Sequence, residues 1–153
     1  MKELLIASDH AGFILKKKLS AFLKSKGILV RDLGTYNKER CDYPQYAYKL
    51  AKLISDGKNK LGILACKSGI GDSIVANRLP GVRAALCYNL KAAKLSRQHN
   101  DSNVLVLGAA FVKMELVKKI VLLWLKTDFA GGRHRRRLNQ IKAIEKKIRR
   151  ECK

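Results

Sequence analysis

The chain has 153 residues, 47% of them hydrophobic, and a formal net charge of +21. That length and apolar content describe one folded domain with its own core and exclude disorder of the whole. The charge favours encounters with polyanions or small anions, although a solvated lysine-rich surface would give the same number.

Leu4–Ala7 reads as a short buried strand, ended by the polar pair Asp9-His10. This apolar run is too short for a signal peptide, so a cytoplasmic location is expected. A helix follows from Gly12 to Lys26 and stops at Gly27; Ile28–Leu33 is a second strand. After a loop with Gly34 and Asn37, the Tyr43-Pro44 pair suits the first turn of a helix reaching Asp56.

Leu61–Ala65 is the third strand, and it runs into Cys66-Lys67-Ser68-Gly69-Ile70-Gly71 before a helix over Gly71–Arg78. Pro80-Gly81 turns the chain into a fourth strand, Arg83–Cys87. A helix over Leu90–Gln98, a strand over Val104–Leu107 and a long amphipathic helix over Lys113–Lys126 complete the alternation. The longest apolar stretch, Val117–Leu125, is interrupted by Lys118 and Lys119, well short of the about 18 apolar residues a membrane span needs.

Five strand–helix units with short links predict a parallel sheet covered by helices on both faces, with ligands bound beyond the carboxyl ends of the strands. The tail behaves differently. After Gly131-Gly132, apolar Leu138, Ile141, Ile144 and Ile148 make a narrow helical stripe with basic flanks over residues 133–150. Such a helix either packs on a neighbouring subunit or docks on its own sheet.

Cysteines at 41, 66, 87 and 152 form no C-x-x-C pair and no metal-like pattern with histidine, so reduced thiols and no metal site are expected. Cys66 stands where a strand gives way to a helix start. Backbone N–H groups and the helix dipole favour negative charge there and would ease loss of the thiol proton. A free cysteine is as commonly a small buried hydrophobe. His99 lies in the polar island Ser96–Asn103, where it could exchange protons or simply end a helix. Arg133 and Arg137, four apart, share a helical face and could grip one phosphate; solvated helices also carry such pairs.

These pieces in this order resemble the type B ribose-5-phosphate isomerase family, which includes relatives acting on galactose 6-phosphate and allose 6-phosphate. The resemblance rests on Ser8-Asp9-His10-Ala11-Gly12-Phe13, Asp42-Tyr43-Pro44, the loop Cys66–Gly71, Ala76-Asn77, the segment Leu95–Val104, and Gly131-Gly132-Arg133-His134 with Arg137. It implies a three-layer αβα Rossmann-like sandwich with a five-stranded parallel sheet and an extra C-terminal helix. It also implies a homodimer with shared active sites, which could pair further into a dimer of dimers.

The implied reaction is aldose–ketose isomerisation of a sugar phosphate through a cis-enediolate, without metal or organic cofactor. Cys66 would take a proton from C2 of ribose 5-phosphate and return it to C1, and Ser68, where the family commonly has threonine, would assist. The N–H groups from Lys67 through Gly69 and Ile70 to Gly71 would hold the enediolate oxygen. His99 would open the sugar ring, while Asp9 and Asn100 would orient hydroxyls. His10, Arg133 and Arg137 would bind phosphate, and Tyr43 would line the site.

Three positions depart from the family pattern. Lys67 replaces a glycine and would either lower the thiol pKa or point outward. Ala110 replaces a phosphate-binding arginine, for which Lys67, Lys113, Arg135 or Arg136 are candidate substitutes. Asp72 falls where a branch lacking the cysteine places a catalytic glutamate; beside Cys66 it reads as secondary, a helix-start carboxylate or a modulator of the thiol. A hexose 6-phosphate isomerase is the nearest alternative activity. A basic nucleic-acid-binding module is the distant one, disfavoured because no stacking aromatics are interleaved with the basic residues; neither a specific nucleic acid nor a membrane is expected as partner.

Overall fold

The structure is a computed structural model describing residues 3–151. Cys152, expected as a fourth reduced thiol, lies outside those residues. In chain order the elements are β1 (Leu4–Ser8), α1 (Phe13–Ser25), β2 (Val30–Asp32), α2 (Tyr43–Ser55), β3 (Gly62–Cys66) and α3 (Ile70–Ala76). There follow β4 (Ala84–Leu86), α4 (Leu90–Asn100), β5 (Val104–Gly108), α5 (Met114–Lys126) and α6 (Arg133–Glu151). All strand pairs are parallel, in the order β2-β1-β3-β5-β4.

The expected alternation is present element for element, in a Rossmann-like sandwich. The edge strands are the ones that shrink: β2 and β4 have three residues each, against six and five expected. An edge strand is paired on one side only, so apolar residues at its ends are not held in the ladder.

Alternation along the strands sorts the core into two layers. Leu4 and Ile6 of β1 with Ile63 and Ala65 of β3 face α1, α4 and α5, where Leu19, Leu23, Ile120 and Trp124 are buried. Leu5, Ala7 and Leu64 face the other way, onto Ala47, Leu50 and Ala51 of α2 and Ala76 of α3. By the same period, Cys66 at the end of β3 points to the α2/α3 side. No helix among the described residues is long and apolar enough to cross a membrane.

The connections from β1 and β3 leave in opposite directions, β1 toward β2 and β3 over β5 to β4. That divergence makes a crevice between the carboxyl ends of β1 and β3, the place where open α/β sheets bind ligands. Close backbone approach fixes its floor. A Cβ on Gly12, at the head of α1, would sit 2.0 Å from the Ala65 carbonyl oxygen and 2.9 Å from the Cys66 nitrogen.

The last helix docks on its own chain only in part. His134 and Leu138 are buried and the Glu145 carboxylate accepts from the Gly81 N–H at 3.0 Å, but Ile141, Ile144 and Ile148 are 42%, 58% and 54% exposed. Most of the apolar stripe is therefore left about half-exposed among the described residues.

Candidate active site

The crevice collects residues from three strand ends and one helix start. Asp9, buried just after β1, accepts the Gly12 N–H on Oδ1 at 2.9 Å and so ties the loop to the head of α1. His10 follows; its Nδ1 lies 3.2 Å from the Cys41 nitrogen and 3.0 Å from the Cys41 carbonyl oxygen. Tyr43 opens α2, and its ring covers Gly71 so closely that a Cβ there would meet the ring at 2.4 Å.

The loop after β3 supplies the rest. Gly69 has φ of +83°, a left-handed conformation that a side chain would strain, and its N–H points at the Cys66 Sγ at 3.0 Å. Ile70 donates its N–H to the Ser68 Oγ at 3.3 Å. The Ser68 carbonyl accepts the Tyr88 hydroxyl at 2.7 Å, and Ala110 donates its N–H to the Lys67 carbonyl at 2.9 Å. These tethers hold the loop against the segments that follow β4 and β5, while the Lys67 side chain is exposed.

The electrostatics overturn one expectation. The Cys66 thiol is not eased toward ionisation: its pKa is pushed up to about 11. Burial is the main cause, since the residue is only 4% exposed, and the Asp72 charge adds to it. The Gly69 N–H pulls the other way without winning. Nor does Lys67 supply a compensating cation, because its exposed ammonium is screened by solvent. Asp72, 2% exposed in the first turn of α3, is pushed up to about 7 by burial and then by the Asp9 charge. Its Oδ2 has no hydrogen-bond partner of ordinary geometry among the described residues.

His99, Asn100, Arg133 and Arg137 are not in this crevice. His99 and Asn100 are the last two residues of α4, which leads into the start of β5, and α6 begins beside them, with Ala130 N–H bonded to the Gln98 carbonyl at 3.0 Å. This second cluster lies at the amino-terminal end of the sheet, on the order of 15 Å from Cys66 across the height of the strands. The polar island around His99 is thus mostly helix.

Within that cluster the ring of His99 stacks on His134, with centroids 4.1 Å apart and planes 9° from parallel. His134 has its pKa pulled down by burial and by His99, Arg133 and Arg137. Reading the sequence gave His134 no role of its own. The available signal was its phase, four residues before Leu138 and so on the same helical face. Of the candidates for the missing arginine at Ala110, Lys113 caps α5 at the crevice end, whereas Arg135 stacks over Phe129 near the second cluster. No group of three or more metal-ligating side chains occurs among the described residues.

Comparison with known proteins gives this geometry a context. A family model described as ribose/galactose isomerase matches residues 4–141. The chain is 46% identical to ribose-5-phosphate isomerase B of Escherichia coli over 147 residues, covering 96% of this chain and 99% of that one. Among solved structures, it resembles the Clostridium thermocellum ribose-5-phosphate isomerase B with a TM-score of 0.93 and 45% identity, over 95% of this chain and 99% of that one. It also resembles the Mycoplasma genitalium ribose-5-phosphate isomerase B with bound ribulose-5-phosphate, at a TM-score of 0.90 and 44% identity, over 94% and 96% of the two chains.

Proposed function

The chain belongs to the ribose/galactose isomerase family, and we propose that it interconverts D-ribose 5-phosphate and D-ribulose 5-phosphate through a cis-enediolate. The observation that carries this reading is the Cys66 loop: a thiol at a strand end, met by the Gly69 N–H at 3.0 Å, at the sheet's divergence point near Asp9.

The chemistry follows from that arrangement. With the sugar open, the Cys66 sulfur removes the C2 proton, and the C–H electrons form the C1–C2 double bond of the enediolate. The developing oxyanion is held by loop amides between Lys67 and Gly71, of which that of Gly71 lies in the first turn of α3 without a helical acceptor. Ser68 passes the hydroxyl proton between the two oxygens, and the sulfur returns its proton to C1. Asp9 orients a hydroxyl, and Tyr43 walls the site over Gly71. His10, whose Nδ1 is engaged by Cys41, presents its other nitrogen to phosphate.

Ring opening falls to His99, hydroxyl orientation in part to Asn100 and phosphate binding in part to Arg133 and Arg137, and all four lie at the far end of the same sheet. We therefore assign these four to a second copy of the chain, in a homodimer whose sites are shared. The exposed isoleucines of α6 beside Arg133 and Arg137 support a subunit contact there. Co-expressing Cys66→Ala chains with chains carrying Arg133→Ala and Arg137→Ala tests this. Each variant alone is expected to be inactive. Together they should recover about a quarter of the wild-type rate, because half of randomly paired dimers are mixed and each mixed dimer holds one intact site of two. No recovery in demonstrably mixed dimers would mean that each site is built from one chain.

A further inference from the structure

We propose that Asp72 is the proton acceptor for Cys66, so that the isomerase base is a buried thiol–carboxylate dyad. The proposal rests on Cys66 being the base for the sugar proton and says how that thiol comes to lose its own.

Two simpler roles for Asp72 fail on the structure. A helix-start carboxylate serves by bonding the free N–H groups of its first turn, yet α3 has no side-chain cap and Asp72 Oδ2 bonds nothing of ordinary geometry. A modulator that eased thiol ionisation would have to lower the Cys66 pKa, and Asp72 raises it. What remains is a carboxylate only 2% exposed, in side-chain contact with a thiol only 4% exposed, with one oxygen open to a proton. Burying a carboxylate without a cation is costly, and this chain places one beside its least ionisable reactive group.

The groups that face Asp72 fix its charge state. From β3 comes the Cys66 thiol, and from the loop after β1 comes Asp9, a second carboxylate. From α2 the Tyr43 phenol stands over the adjoining Gly71. With Asp72 titrating at about 7 and Cys66 at about 11, the first negative charge to enter the pair near neutral pH resides on Asp72, and the thiol keeps its proton.

The step then balances. The S–H bond of Cys66 breaks and an O–H bond forms on Asp72, leaving a thiolate that the Gly69 N–H at 3.0 Å steadies. The thiolate takes the C2 proton, delivers it to C1, and recovers its own from Asp72. Nothing is oxidised or reduced. Since Asp72 must be ionised to accept, kcat/KM should be full above about pH 7 and fall as pH drops through that value.

The test is the pH profile of kcat/KM for ribose 5-phosphate with wild type, Asp72→Asn, Asp72→Glu and Cys66→Ala. Asp72→Asn should lose about 100-fold or more at pH 7 and move the acid limb up by at least about one pH unit, toward ionisation of the thiol itself. Asp72→Glu should restore the limb near 7 and part of the rate, and Cys66→Ala should be inactive at every pH. Folding is checked at pH 8. The folded-state pKa of Asp72 is raised from 3.8 to about 7, so stability falls as pH rises between those values and the loss is complete above about pH 7, and Asp72→Asn should unfold no earlier than wild type at pH 8.

An Asp72→Asn variant that keeps the wild-type limb and rate within about threefold would overturn the dyad. So would a Cys66→Ala variant that still turns over with a limb near 7, because the carboxylate would then be acting on carbon directly. If wild type itself turns over no sugar phosphate, the failure lies in the activity the dyad serves, and the two failures are distinguishable.

Discussion

Replacing Cys66 by alanine is expected to abolish measurable turnover of ribose 5-phosphate, a loss of about four orders of magnitude, the upper end of the range spanned by general bases. Binding of the sugar phosphate should change by only a few fold, because the proposed site gives phosphate and hydroxyls to His10, Asp9 and the second cluster rather than to the sulfur. The fold should survive. Cys66 is buried, but its side chain interacts only with the Gly69 N–H and the Asp72 carboxyl, and alanine leaves the strand's backbone pairing with β1 and β5 in place. Steady-state kinetics with thermal unfolding on the same preparation separate the two effects. A variant that keeps kcat within tenfold while folding normally would remove Cys66 from the chemistry.

Gly12→Ala should act through stability as well as activity, and its effect should be larger than that of any other single methyl in the crevice. The added Cβ would lie 2.0 Å from the Ala65 carbonyl oxygen. That obstacle is backbone, not a side chain that can swing aside, and β3 is held in register by β1 on one side and β5 on the other. Either α1 retreats from the sheet, losing the Asp9 bond to the Gly12 N–H, or the end of β3 moves and takes Cys66 with it. A cost of at least about 3 kcal/mol follows, which for a chain of this size lowers Tm by roughly 6–12 °C. Activity should fall too, even at temperatures where the variant is folded. An unchanged Tm would mean that the contact between α1 and β3 is looser than it looks.

The architecture was legible because each buried strand is a short apolar run and each helix a clean amphipathic stretch, with Gly27, Tyr43-Pro44 and Pro80-Gly81 punctuating them. The crevice residues were legible for the same reason, since in a parallel sheet every loop after a strand opens at one end. That logic also marked His99 as exceptional, for it precedes its strand, and the structure does place it at the opposite end of the sheet. The sign of the Cys66 pKa shift was not legible. The dipole of a helix start can be read from local sequence. The burial of the thiol and the two nearby carboxylates depend on where β1, β3 and α3 come to rest, and they outweigh a seven-residue helix. Asp72 reads in the sequence only as a helix-start carboxylate or a modulator of the thiol for the same reason. Its burial appears only once α3 lies against the sheet. His134 sits between Arg133 and Arg137 in a segment marked by charge, and only its phase with Leu138 shows that it faces inward.

The central claim is that this chain moves a proton between C2 and C1 of a five-carbon sugar phosphate using a base in the Cys66 crevice. The most direct measurement is NMR of ribose 5-phosphate incubated with the protein in deuterated water. The account predicts ribulose 5-phosphate whose C1 carries the proton that left C2, with deuterium there only to the extent that the thiol proton exchanges before its return, and no product from Cys66→Ala. Absence of ribulose 5-phosphate, or product formed by Cys66→Ala at the wild-type rate, would contradict it.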